Sequence, residues 1–235
     1  MTRGANDADF LCRYASSVPE PGRLDVRCFT VGPLQENCYV VRPEGGDRAL
    51  VVDPGDEAPR LLAALETLEA EAAGILLTHT HFDHVGAVAE LARATGAEVW
   101  VPEAEHRVLA NINDYLWPGY GPFEAYDAEH TVAGGETLEL AGLRLEVLFT
   151  PGHSPGHVSF SVPDHAALLS GDVLFRGSVG RTDLVGGDWP TLLDSIGMLV
   201  DRLPGETTVY PGHMGVTTLG AERATNPFLG ALAPR

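Results

Sequence analysis

The sequence predicts a single α/β or α+β domain, and three observations carry that expectation. Short β-rich runs open the chain in a group. Strand-like and helix-like segments then mix through both halves. The 235 residues are 44% hydrophobic and 20% charged, enough apolar material for one sizeable core and too little charge for a disordered chain.

The opening runs are 26–31, 38–42 and 49–52, separated by the turn signals Gly32-Pro33 and Glu44-Gly45-Gly46. Residues 57–72 predict a helix, with Leu61, Leu62, Leu65 and Leu68 on one face and Glu66, Glu69 and Glu71 largely outside it. Ile75-Leu76-Leu77 reads as a short buried strand. Residues 85–95 predict a helix with Val85, Val88, Leu91 and Ala92 on one face, and Val99-Trp100-Val101 another strand. Residues 137–140 and 143–149 form a hairpin pattern across Ala141-Gly142, followed by strands at 158–162, 166–169 and 207–210 and a late helix at 189–203. The expected organisation is a loose N-terminal extension over 1–23 and one domain over 24–235.

The formal net charge is −18, and the chain has no lysine. Such a surface repels phosphate backbones, which argues against a nucleic-acid partner. Cys12, Cys28 and Cys38 are odd in number and lack CxxC spacing, so a reducing compartment is expected and a disulfide framework is not. Cys38, in the strand-like run 37–41, reads as a core thiol. No apolar run reaches the ~20 residues of a spanning helix, and the N-terminus lacks a signal-peptide core. These features predict a cytoplasmic protein without a membrane partner.

The chemistry concentrates in Thr78-His79-Thr80-His81-Phe82-Asp83-His84, between a buried strand and a helix. His79 and His81 are two apart in extended chain, so their side chains share a direction and can pinch one metal. Asp83 and His84 sit where the helix begins and can face a neighbouring metal. Imidazole and carboxylate are the usual ligands of borderline metals such as zinc. Three later segments repeat one layout, an apolar strand, a glycine turn and a polar side chain. They end in Thr150-Pro151-Gly152-His153, Ser170-Gly171-Asp172 and Pro211-Gly212-His213. Such a layout puts functional groups on loops held by a rigid scaffold. His157, four residues after His153, suits a ligand, a residue that orients a ligand, or a plain strand position. His106 and His165 stand alone and read as ordinary surface or core residues.

HTHFDH, TPGH, SGD and YPGH in this order resemble the metallo-β-lactamase superfamily, from about Leu24 to the end of the chain. Pro33-Leu34-Gln35-Glu36-Asn37-Cys38-Tyr39 and Val52-Asp53-Pro54-Gly55-Asp56 match its opening strands. The stretch 171–183, with Gly180-Arg181-Thr182-Asp183, and Thr225-Asn226-Pro227-Phe228-Leu229 resemble its glyoxalase II-like branch. The resemblance implies a four-layer αββα sandwich with the site at one edge. It implies two divalent metal ions, zinc first, with iron or manganese as alternatives. One would sit on His79, His81 and His153, the other on Asp83, His84 and His213, with Asp172 bridging them. Asp83 and Asp172 would be the catalytic carboxylates. Asp53 would orient a ligand imidazole or serve as a turn residue before Pro54.

The activity implied is hydrolysis of a small-molecule thioester or ester by a hydroxide shared between metals ~3.5–4 Å apart, first of all an S-acylglutathione thioester. Full-length glyoxalase II enzymes carry a C-terminal helical region that helps bind glutathione, and only about twenty residues follow His213 here. Arg181 suits a substrate carboxylate or amide, or an ion pair with Asp183 or Asp188. The aromatic segment 115–126, with Tyr115, Trp117, Tyr120, Phe123 and Tyr126, suits a lid, ordinary packing, or a contact between copies in a homo-oligomer. A mono-iron persulfide dioxygenase has a similar Gly-Arg-Thr-Asp stretch, and metal identity and count separate it from the hydrolase. A lactonase uses the same hydroxide. A bridging Asp172 counts against a β-lactamase, the charge of −18 against RNA-processing relatives, and the complete ligand set against a non-enzyme remnant of the fold.

Overall fold

A computed structural model describes residues 22–232. The extension expected at 1–23 lies outside them except for Gly22 and Arg23. Strands β1 (Leu24–Val31), β2 (Glu36–Pro43), β3 (Arg48–Val52), β4 (Glu71–Leu76), β5 (Val99–Pro102) and β6 (His130–Val132) form one six-stranded sheet in chain order. β1, β2 and β3 pair antiparallel, and β3 to β6 parallel. The second sheet holds β7 (Thr137–Leu140), β8 (Leu143–Phe149), β9 (Val158–Val162) and β10 (Ala167–Gly171). After a small hairpin of β11 (Leu174–Phe175) and β12 (Ser178–Val179), it is completed by β13 (Thr208–Pro211) and β14 (Thr217–Thr218). Its order is β14-β13-β10-β9-β8-β7, with β10 and β13 parallel.

The near-continuous apolar runs of the inner strands follow from burial on both faces. Tyr39, Val41, Leu50, Val52, Leu76 and Trp100 pack on Leu145, Val147, Val158, Phe160 and Leu169 of the second sheet. The alternate residues Cys38, Val40, Ala49, Val51, Ile75, Val99 and Val101 face outward. There they meet α1 (Ala58–Thr67), α2 (Phe82–Val85), α3 (Val88–Thr95) and α4 (His106–Leu109). On the other flank, Leu168 and Val209 pack on Leu192, Ile196 and Leu199 of α5 (Trp189–Arg202) and Leu219 of α6 (Leu219–Thr225). The layers run αββα. Each fully buried Leu or Phe contributes ~1.5–3 kcal/mol to that stack. No helix among the described residues is long and apolar enough to cross a membrane.

Several predicted boundaries move, each for a local reason. The helix expected over 57–72 stops at Thr67, because Glu69 turns left-handed (φ 50) and Glu71 already starts β4. The helix expected over 85–95 is two helices. α2 starts at Phe82, and the helical hydrogen bonding is interrupted at Gly86 and Ala87, whose backbones stay right-handed while the Ala87 N–H donates to Pro54 O at 3.0 Å. The strand expected from 166 begins at Ala167, since Ala166 is left-handed, and that expected from 207 begins at Thr208. α5 keeps its predicted start, with the Asp188 carboxylate accepting from Thr191 N at 3.0 Å and Pro190 in the first turn. β6, β11, β12, β14, α4 and α6 are two to seven residues long, too short for periodicity to reveal.

The topology decides where chemistry can occur. The carboxyl ends of β3, β4, β5, β8, β10 and β13 lie along one edge of the sandwich. The start of β2 joins them there, since Tyr39 pairs with Val52 near the end of β3. Open sheets generally bind ligands at such strand ends.

Candidate metal centre

Loops from four strands bring the seven predicted residues together. The segment after β4 carries His79 and His81 in its loop and Asp83 and His84 in α2. The loops after β8, β10 and β13 carry His153, Asp172 and His213. His81 Nδ1 lies 3.1 Å from His79 Nε2 and 2.8 Å from His153 Nε2. Ligand atoms around a tetrahedral ion at ~2.0–2.1 Å lie ~3.3–3.4 Å apart, so these three nitrogens can hold a metal ion. Asp83, His84 and His213 form a second such group, with His213 Nε2 3.4 Å and His84 Nε2 3.9 Å from Asp83 Oδ2.

Asp172 stands between the two groups. Its Oδ1 is 3.5 Å from His84 Nε2, and its Oδ2 is 3.5 Å from both His153 Nε2 and His213 Nε2. His84 Nε2 and Asp172 Oδ1 are buried and have no hydrogen-bond partner among the described residues. Buried polar atoms are ordinarily paired, and an ion that binds here accounts for the exceptions. Gly212 makes the approach feasible, because a Cβ there would sit 2.2 Å from Asp172 Oδ1.

Hydrogen bonds set the tautomers. His153 Nδ1–H donates to Arg181 O at 2.8 Å, which leaves Nε2 for the site. Thr78 Oγ1–H donates to Asp53 Oδ2 at 2.6 Å, and the same hydroxyl accepts from His79 Nδ1–H at 3.0 Å. His84 Nδ1–H donates to Asp53 Oδ2 at 3.2 Å. Asp53 also accepts from Thr78 N at 2.7 Å, and its backbone is left-handed (φ 50). It thus fills both offered roles, turn residue and holder of an imidazole. Asp53→Asn puts an amide NH2 against at least one of the three donors that point at this carboxylate and should weaken metal binding ~10–100-fold. A chelator-competition titration checks this, and unchanged affinity would contradict it.

His157 does not join the ligand atoms. Its Nε2 accepts from Asp172 N at 3.1 Å and its Nδ1–H donates to Thr150 Oγ1 at 3.0 Å, so it fixes the backbone of Asp172. Two residues that the sequence did not single out as site residues complete the surroundings, Glu36 from within the opening-strand motif and Glu105 from outside any motif. Glu105 is buried and binds both the Thr80 and the Ser154–Gly156 loops. Glu36 is wholly buried 3.8 Å from His84 Nδ1, and burial holds its carboxyl well above the usual range. Its oxygens have no partner among the described residues.

The electrostatics differ between the halves. Burial, then the charges of neighbouring imidazoles, holds His79 well below the ordinary histidine range. Burial and His153 bring His81 down to about 4. Burial also opposes charge on His84, but Asp172 and Asp83 outweigh it and raise its pKa well above the ordinary range. His213 is raised by Asp83 and Asp172 against burial. At pH 7 His79 and His81 therefore offer neutral nitrogens, whereas a metal at the second group displaces protons, so affinity there falls as pH falls. Zinc titrated into the metal-free protein at pH 7 should release protons, seen as a dependence of the binding heat on buffer ionisation heat. A His213→Ala variant should release fewer, and equal release would contradict the assignment.

Arg181 sits at the rim. Its Nε and Nη2 hold Asp183 at 2.7 Å each, and its guanidinium lies 5.7 Å over the Trp117 ring. Asp188 caps α5 instead. The aromatic segment packs on Phe82, between His81 and Asp83. Tyr120 is 4.7 Å and Trp117 5.3 Å from it between ring centroids, and Tyr115 and Trp117 stay partly exposed. Cys38 is wholly buried, and burial raises its thiol well above the usual range, so it is no nucleophile. Cys12 lies outside the described residues.

The model of the metallo-β-lactamase superfamily matches residues 31–213, which span all seven clustered residues. The chain belongs to the metallo-β-lactamase superfamily. It is 35% identical over 221 residues to the hydroxyacylglutathione hydrolase GloC of Haemophilus influenzae, covering 88% of this chain and 99% of that protein. Among solved structures, the BLEG-1 B3 metallo-β-lactamase matches with a TM-score of 0.83 and 37% identity over 88% of this chain and all of that one. TTHA1623 in a di-iron-bound form matches with a TM-score of 0.77 and 44% identity over 87% of this chain and all of that one. The four-layer architecture implied by the motifs is thus the architecture of the superfamily.

Proposed function

We propose that the chain is a dinuclear metal-dependent hydrolase that cleaves small-molecule acyl thioesters, with the S-acylglutathione class as its first candidate substrates. The observation that carries this reading is Asp172, whose two oxygens reach the histidines of both groups at 3.5 Å. The di-iron form of TTHA1623 supports two ions, and GloC supports a thioester of glutathione.

Two bound divalent ions supply a Lewis acid for the acyl carbonyl and lower the pKa of a water toward ~7. The chain's own groups do the rest. His79, His81 and His153 hold the first ion, Asp83, His84 and His213 the second, and Asp172 spaces them. Asp83, partly exposed beside His213, would accept a hydrogen bond from the attacking water and orient it. A thioester needs no acid residue for its leaving group, because thiols ionise near ~8.5. Arg181, with Trp117 beneath it, receives a carboxylate or amide of the substrate through the donors not engaged by Asp183.

Purified protein assayed with S-lactoylglutathione tests the reading, and turnover is the expected result. BLEG-1 favours a second reading, opening of a β-lactam ring. Nitrocefin is therefore assayed on the same sample. Nitrocefin hydrolysis without thioester hydrolysis would replace the first reading with the second.

A further inference from the structure

The three histidines of the first group sit on two loops that no strand pairing joins directly. His79 and His81 flank Thr80 after β4, and His153 precedes Ser154 after β8. Between these loops lies the carboxylate of Glu105, at the end of the short 3-10 turn Glu103–Glu105 that follows β5. Its Oε2 accepts from Thr80 N at 2.7 Å and from Thr80 Oγ1 at 2.9 Å. Its Oε1 accepts from Ser154 Oγ and from Gly156 N at 2.9 Å. The side chain is buried, as are Thr80 and Ser154. Gly156 lets the loop come this close, since a Cβ there would sit 2.7 Å from Glu105 Cγ.

We propose that Glu105 is a positioning residue that sets the spacing of His79, His81 and His153 by clamping the two loops that carry them. The proposal rests on the reading of these histidines as metal ligands. Its chemistry is specific to a carboxylate. Each oxygen faces a backbone N–H, so a glutamine, in either orientation, must set its NH2 against one of them. The clamp grips Thr80, between the two first-group histidines of its segment, and does not reach the His213 loop. The His213 loop is tied elsewhere, by Asn37 Nδ2 donating to Pro211 O at 3.1 Å and Met214 O at 2.8 Å, and by Tyr39 Oη donating to Pro211 O at 2.7 Å.

The test is a competition titration of metal-free protein with Zn2+ alone, on the wild type, Glu105→Gln, His153→Ala and the double variant. The expected result is two zinc steps in the wild type, with one of them weakened ~10–100-fold in Glu105→Gln, the range seen when a partner of a metal ligand is lost. In the His153→Ala background, where the first group is already broken, Glu105→Gln should leave the surviving step unchanged. Wild-type affinity at both steps in Glu105→Gln would overturn the clamp. So would equal weakening of the surviving step in the His153→Ala background, which marks a general structural role. Should Glu105→Gln fail to fold, Thr80→Val removes one of the four donors and leaves the carboxylate in place. It should weaken the same step severalfold, and no change would overturn the proposal. A wild type that binds no zinc would sink the ligand reading itself, and that outcome is distinct from two intact steps in Glu105→Gln.

Discussion

An Asp172→Ala variant should lose turnover by on the order of 10³-fold, together with much of its bound metal. The oxygens of Asp172 reach histidines of both groups, at 3.5 Å to His84, His153 and His213. Its removal takes a ligand from each ion and also the negative charge that lets imidazoles and cations crowd together. The metals contribute several kcal/mol of transition-state stabilisation, and ~4 kcal/mol corresponds to ~10³ in rate. Steady-state kinetics and elemental analysis on the same preparation measure both effects. Turnover retained with both metals bound would show that Asp172 is not the bridge.

His81→Ala should lower turnover by a comparable ~10³-fold, with a different metal signature. His81 Nδ1 is the central atom of the first group, within 3.1 Å of His79 Nε2 and 2.8 Å of His153 Nε2. Without it only two imidazoles remain there. Asp83, His84 and His213 are untouched, so one ion should be lost and one kept. The melting temperature of the metal-free variant separates this from unfolding, since His81 lies at the partly open mouth of the site rather than in the core. Two ions at wild-type affinity would contradict the ligand assignment.

The clustering of the seven side chains was legible in the sequence because chemistry and chain order coincide. Four of the seven residues fall within six positions, and each of the others follows an apolar strand and a glycine. The αββα stack was legible through its motifs rather than its periodicity. The doubly buried strands β3, β4 and β5 read as apolar runs, which show strand character but not which sheet lies on which side. What stayed hidden is long-range. Glu105 meets Thr80 across 25 positions and Gly156 across 51, and Asn37 meets Met214 across 177. No local pattern distinguishes such a glutamate from an exposed one on an acidic chain. His157 was open between three roles because its position in the strand does not reveal that its Nε2 faces the Asp172 N–H. The break between α2 and α3 was hidden for the same reason, as it depends on the Pro54 carbonyl from another loop.

The central claim is a pair of ions bridged by Asp172, and metal content measures it most directly. Elemental analysis of protein purified without added metal, with the same sample assayed on S-lactoylglutathione, should give about two equivalents of zinc, iron or manganese per chain and turnover that tracks occupancy. A single equivalent of iron, no hydrolysis, and oxygen uptake with glutathione persulfide would contradict it and place the chain among mono-iron oxygenases.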